Sequence, residues 1–147
     1  MSQAKSVVNV FVTQLIAFVI FLVLIGIVNV LTYYIENEIF FQVVSFLNSN
    51  LILIILFSII FMIGEMFSVL IFPLNTPYPI FNGTGAFLLV EFIFNVIEFL
   101  DKLVGINLGN IPFELLRTAI SFLVLIIVVV VGYIEILNRF RNKKRFK

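Results

Sequence analysis

The chain contains no cysteine, no histidine and no tryptophan. Without thiols it forms no disulfide, builds no thiolate zinc site or iron–sulfur cluster, and offers no thiol nucleophile. Without imidazole it lacks the usual haem ligand and the usual general base at neutral pH. Charge is scarce as well: 12% of the residues are Asp, Glu, Lys or Arg, against about 25% in a soluble domain. Phosphate-cradling loops, dinucleotide loops and hydrolase elbows do not occur. Chemistry is left to carboxylates, hydroxyls, Lys, Arg and Tyr. No metal or cofactor is expected, and the expected class is not an enzyme.

What the chain has in abundance is apolar surface. Of its 147 residues 63% are hydrophobic, 19 of them Phe, and the mean hydropathy is +1.25. A chain this short has too little interior to hide that much apolar side chain from water. The lipid bilayer is its natural solvent and first expected partner. Every backbone group must then be satisfied within a helix, because lone strands cannot do so in lipid. The expected fold is an all-α integral membrane protein, a four-helix transmembrane bundle forming one domain over residues 1–147.

Four apolar segments are long enough for the roughly 20 residues that a bilayer core requires. They cover about 7–34, 51–72, 84–104 and 113–137. The first is too long for a signal-peptide core and reads as a retained span. Between the first two lies IENEIFFQVVSFLNSN, residues 35–50. There Glu38, Gln42, Ser45 and Ser49 share one helical face, with Phe40, Val43, Val44 and Leu47 opposite. That pattern suits a short interfacial helix; it suits equally a simple continuation of the first span. Asn48, Ser49 and Asn50 can cap the second span. Pro73, Pro77 and Pro79 predict a non-helical, uncharged loop over 73–83. Asn82-Gly83-Thr84 fits a glycosylation acceptor but falls on the expected inner side.

Six of the nine basic residues occupy the last nine positions: Arg139, Arg141, Lys143, Lys144, Arg145 and Lys147. By the positive-inside rule this tail, 138–147, is cytoplasmic, and an even number of spans puts both termini there. Three spans with a re-entrant third segment are the rival topology. The tail interleaves Phe with basic residues, which suits contact with anionic lipid headgroups; as a plain stop-transfer flank it needs no further role. A net charge of +1 suggests no nucleic-acid partner.

Charges inside a bilayer cost about 2.5–3.5 kcal/mol each on insertion scales, so those in the apolar segments need an explanation. Glu91, Asn95, Glu98 and Lys102 form a stripe at steps of four, three and four. Glu114, Arg117, Thr118 and Ser121 begin the fourth span. Ion pairs among Glu98, Lys102, Glu114 and Arg117 are expected to join the third and fourth helices. Glu65 and Glu91 each lie seven residues inside their expected spans, which places them at matching depth with no basic residue nearby. Together with Asn95 and Glu98 they could form a proton or cation site; the bland alternative is that they face a partner's cation. Gly64 and Ser68 form a small-xxx-small pair, and Asn9, Thr13, Gln14 and Asn29 can bond across helices.

The expected function is that of a structural or accessory subunit, packing against other membrane proteins or copies of itself. The alternative is a small homo-oligomeric channel or transporter for protons or cations. In composition, though in no motif, the chain resembles the phage holins, a likeness that implies a pore.

Overall fold

A computed structural model describes residues 7–105 and 112–145; within them the chain is helical, with no strand. The five helices are α1 (Val7–Leu31), α2 (Glu38–Ser49), α3 (Leu51–Ser68), α4 (Tyr78–Val104) and α5 (Phe113–Arg145). All but α2 are long and apolar enough to cross a membrane.

The first helix ends at Leu31, and residues 32–37 form no helix, so α1 does not run on into α2. Asn37 starts α2 by accepting the Phe40 N–H at 3.0 Å, satisfying one of the donors that a helix start leaves open. The polar stripe Glu38, Gln42, Ser45 and Ser49 is exposed, and Val44 on the other side is buried. Asn50 alone separates α2 from α3. It makes no capping bond for α3. Instead its N–H reaches the Phe46 carbonyl at 3.1 Å, and its own carbonyl accepts the Ile54 N–H at 3.0 Å. The hydrogen-bond ladder therefore passes through the break.

Helix α5 runs eight residues past its expected end at 137, into the basic tail; the departure that matters for the charges is the start of α4. The helix begins at Tyr78, six residues ahead of the expected Thr84. Pro77 occupies the N-cap position and Pro79 the first turn, where a missing N–H costs nothing and the fixed φ suits a helix. Only 69–77 remain as the connection between α3 and α4. Asn82 therefore sits within a helix against Gly64 rather than in a loop, which removes the glycosylation reading. The helix ends at Gly105, whose φ of 70° is left-handed, with its N–H donating to the Asp101 carbonyl at 2.7 Å. Glycine enters that region without penalty. The stretch Asn107-Leu108-Gly109-Asn110, whose composition predicts a turn, lies outside the described residues.

The helices pack in chain order. Helix α4 lies between α3 and α5 and makes the most extensive contacts with both, while α1 meets α3 more sparsely. Asn50 lies opposite Asn95, Phe61 opposite Gly85 and Gly64 opposite Asn82, so α3 and α4 are antiparallel. Phe94 meets Phe113, Glu91 meets Arg117, and Pro79 meets Gly132, so α4 and α5 are antiparallel too. Close approach depends on missing side chains. A Cβ on Gly83 would lie 2.5 Å from a Val129 methyl, one on Gly85 2.8 Å from the Phe61 ring, and one on Gly132 2.7 Å from Pro79. Stacked Phe rings fill the α3–α4 seam and extend it to α2, as in Phe67–Phe81 at 5.5 Å and Phe46–Phe99 at 4.5 Å between centroids.

Candidate functional site: a charge cluster between α4 and α5

Four polar side chains converge where α4 and α5 cross. The Arg117 guanidinium donates through Nε to Glu91 Oε2 and through Nη1 to Glu98 Oε1 at 3.5 Å. Ser121, fully buried, donates its hydroxyl to the other Glu91 oxygen at 2.9 Å. Both Glu91 oxygens thus have a donor. The side chains of Glu91, Arg117 and Glu98 are 20%, 26% and 43% exposed, so the cluster is most enclosed at Glu91 and opens toward Glu98. Helical geometry explains the arrangement. Glu91 and Glu98 are seven residues apart, almost two turns, and so point nearly the same way. Arg117 and Ser121 are four apart and share the facing side of α5.

The rest of the predicted stripe goes elsewhere. Asn95 turns toward α3 and donates to Asn50 Oδ1 at 2.6 Å. Asn50 in turn donates to the Phe46 carbonyl at 2.9 Å. Lys102 and Glu114 are exposed and enter no ion pair among the described residues. Among the described residues the cation that serves the cluster is Arg117.

Glu65 and Glu91 are not at matching depth. Gly64 lies against Asn82, which puts Glu65 level with the first turns of α4. Glu91 is nine residues beyond Asn82, about 14 Å along the axis at 1.5 Å per residue. The expectation failed because it ran the second span on to Phe72, where α3 ends at Ser68, and started the third helix at Thr84. Counted from Tyr78, Glu91 lies thirteen residues inside the helix and comes level with Arg117.

Among the described residues the first helix makes one side-chain tie to another helix. Asn29 and Asn48 exchange amide hydrogen bonds, at 2.7 and 3.1 Å. Thr13 bonds only to the Asn9 carbonyl of its own helix, at 2.8 Å. Gln14 lines a crevice of about 270 Å³ between α1 and α3, shared with Phe18, Phe57, Ser58 and Phe61.

At the opposite end Glu65 has no ion-pair partner among the described residues. Glu135 pairs with Arg139 one turn on, at 2.5 Å. That pair went unread in the sequence, although an acid four residues before a base on a helix is a recognisable signal. Arg139 and Arg141 are exposed on the last turns of α5. The side chains of Lys143, Lys144 and Arg145, and all of Lys147, lie outside the described residues. No group of three or more Asp and Glu suited to a metal ion occurs among the described residues.

Comparison of the chain with protein families, with curated proteins and with solved structures gave no match.

Proposed function

We propose that this chain is a small, non-enzymatic, multi-pass membrane protein that serves as a structural or accessory subunit of a membrane assembly. The observation that carries the reading is the state of α1. Of its 25 residues only Val10 is buried, and that apolar surface is open on nearly every side. A helix that is hydrophobic all round belongs in lipid or against another apolar helix. Meanwhile Glu91 is bound by both Arg117 and the buried Ser121. In this reading they join α4 to α5 rather than face a substrate.

Mass measurement of the protein extracted from its native membrane in mild detergent tests the role. A fixed stoichiometry with other chains, or with copies of itself, is the expected result. A monomer under conditions that preserve known complexes would sink it. The basic tail puts both termini on the cytoplasmic side in this reading. Single cysteines at Ser2 and Lys147 should then resist an impermeant thiol reagent in intact cells while one at Asn37 is labelled.

One observation favours the second reading, a proton or cation channel. Arg117 meets two carboxylates, which leaves a surplus negative charge, and Glu65 has no ion-pair partner among the described residues. That reading requires flux in liposomes that falls in Glu65→Gln or Glu98→Gln. An unmutated protein without flux removes it.

A further inference from the structure

We propose that the groove between α4 and α5 at their Tyr78 and Arg139 end binds one anionic phospholipid, its acyl chain along the groove and its phosphate at the basic end of α5. The groove encloses about 210 Å³. Its wall is Ile127, Val128 and Val131 of α5, and its floor is the contact of Pro79 with Gly132, where a Cβ would come within 2.7 Å of the proline. The glycine thus lets the helices meet below while the valines stand apart above. Ile127 and Val131 are 51% and 57% exposed, so the wall is open to an incoming chain.

Chemistry changes at one end only. Tyr78, Asn82 and Glu135 line the groove there, and Arg139 follows Glu135 by one turn. The Glu135 carboxylate holds the Arg139 guanidinium at 2.5 Å, which fixes a cation beside the opening and offsets the acid that lines it; Glu65 of α3 is also within electrostatic reach of Tyr78, and the cations that follow Glu135 outnumber it. Arg139 remains 60% exposed on its side chain, with donors free for a second acceptor. Arg141 is exposed a half-turn on. The sequence continues with Lys143, Lys144, Arg145 and Lys147, and no acid follows Glu135. An apolar channel ending in a cationic, hydrogen-bonding mouth is complementary to an acyl chain bearing a phosphate. A partner helix would match the valines but not the clustered cations.

The proposal rests on the membrane setting given above, not on the subunit role. The full chain is placed in nanodiscs of equal phosphatidylglycerol and phosphatidylcholine, released, and weighed with its retained lipid by native mass spectrometry. One phosphatidylglycerol per chain, held in preference to phosphatidylcholine, is expected. Val131→Trp, which fills the groove, and Arg139→Gln, which removes the headgroup contact, should each lower retention several-fold. Val130→Trp, at the next exposed position and outside the groove, should leave it unchanged. Equal retention of the two lipids overturns the site. So does full retention by Val131→Trp, which would mean that the tail attracts headgroups without a groove. A chain that fails to enter nanodiscs at all would instead sink the membrane reading beneath it.

Discussion

Arg117 reaches two carboxylates from one position, and the balance of its environment decides what its loss does. Removing one member of a buried pair costs about 3–5 kcal/mol, because the partner charge stays behind in a poor solvent. A pair in water is worth about 0–1 kcal/mol. The enclosed Glu91 end, with Ser121 wholly buried beside it, places this pair near the first case. Arg117→Ala should lower the melting temperature in detergent sharply, and adding Glu91→Gln to it should restore part of the loss by removing the stranded charge. Equal melting of the single variant and the parent would show the cluster to be solvated. The glycines make a second residue-level contrast. Gly83→Val drives side-chain atoms into Val129 and the Leu125 carbonyl, whereas Gly26 has nothing within 4 Å. Overpacking typically costs about 1–3 kcal/mol, so Gly83→Val should reduce thermal stability and Gly26→Val should scarcely change it. From the sequence, a charge cluster among Glu98, Lys102, Glu114 and Arg117 was expected, because charges in an apolar segment need partners; Glu91 as the main partner of Arg117 was not, since it had been placed at another depth. Gly83 and Gly85 were not legible, since Gly83 had been read in the loop and Gly85 in the first turn of the expected span, where glycine needs no packing reason.

At the scale of elements, what was legible followed from period and length. The apolar runs of α1, α3 and α5 are long and pure enough to cross a membrane as helices, and helices they are. Where α4 begins was not legible. A proline in the first turn and a proline that terminates a helix look identical in sequence, and only packing against Gly64 and Gly132 distinguishes them here. That six-residue difference, with the end of α3 four residues earlier than expected, moved Glu91 from one level to another and dissolved its supposed pairing with Glu65. The ties of α1 follow a similar logic. Asn29 was expected to bond across helices; its partner, Asn48, sits on a segment whose direction sequence periodicity does not give. Because α1 buries so little, its reciprocal amide pair with Asn48 carries an unusual share of its attachment. Asn29→Leu should loosen the helix. Spin labels at Ala17 and Ile59, which flank the α1–α3 crevice, should report a broadened distance distribution in that variant and a narrow one in the parent. Identical distributions would show that apolar contact alone holds α1.

For the whole molecule, the helices meet in the order in which they are made, with α4 the common neighbour of α3 and α5. Such an arrangement needs no long-range threading: α3, α4 and α5 each meet a chain neighbour, and α1 reaches past the short α2 to α3. The pairing of Glu91 with Arg117 carries a consequence for biosynthesis. As α4 emerges from the ribosome it holds Glu91, Glu98, Asp101 and Lys102 within one apolar segment, each costing about 2.5–3.5 kcal/mol at mid-bilayer depth. The cation that neutralises the deepest of them is not yet synthesised. Helix α4 is therefore poorly suited to leave the translocon alone and should wait there until α5 arrives, the two partitioning into lipid as a hairpin. A reporter fused after residue 111 should show α4 only partly integrated, and the same reporter after residue 140 should show it fully integrated. With Arg117→Ala the longer fusion should fall back toward the shorter one, turning a contact within the folded protein into a checkpoint on its assembly.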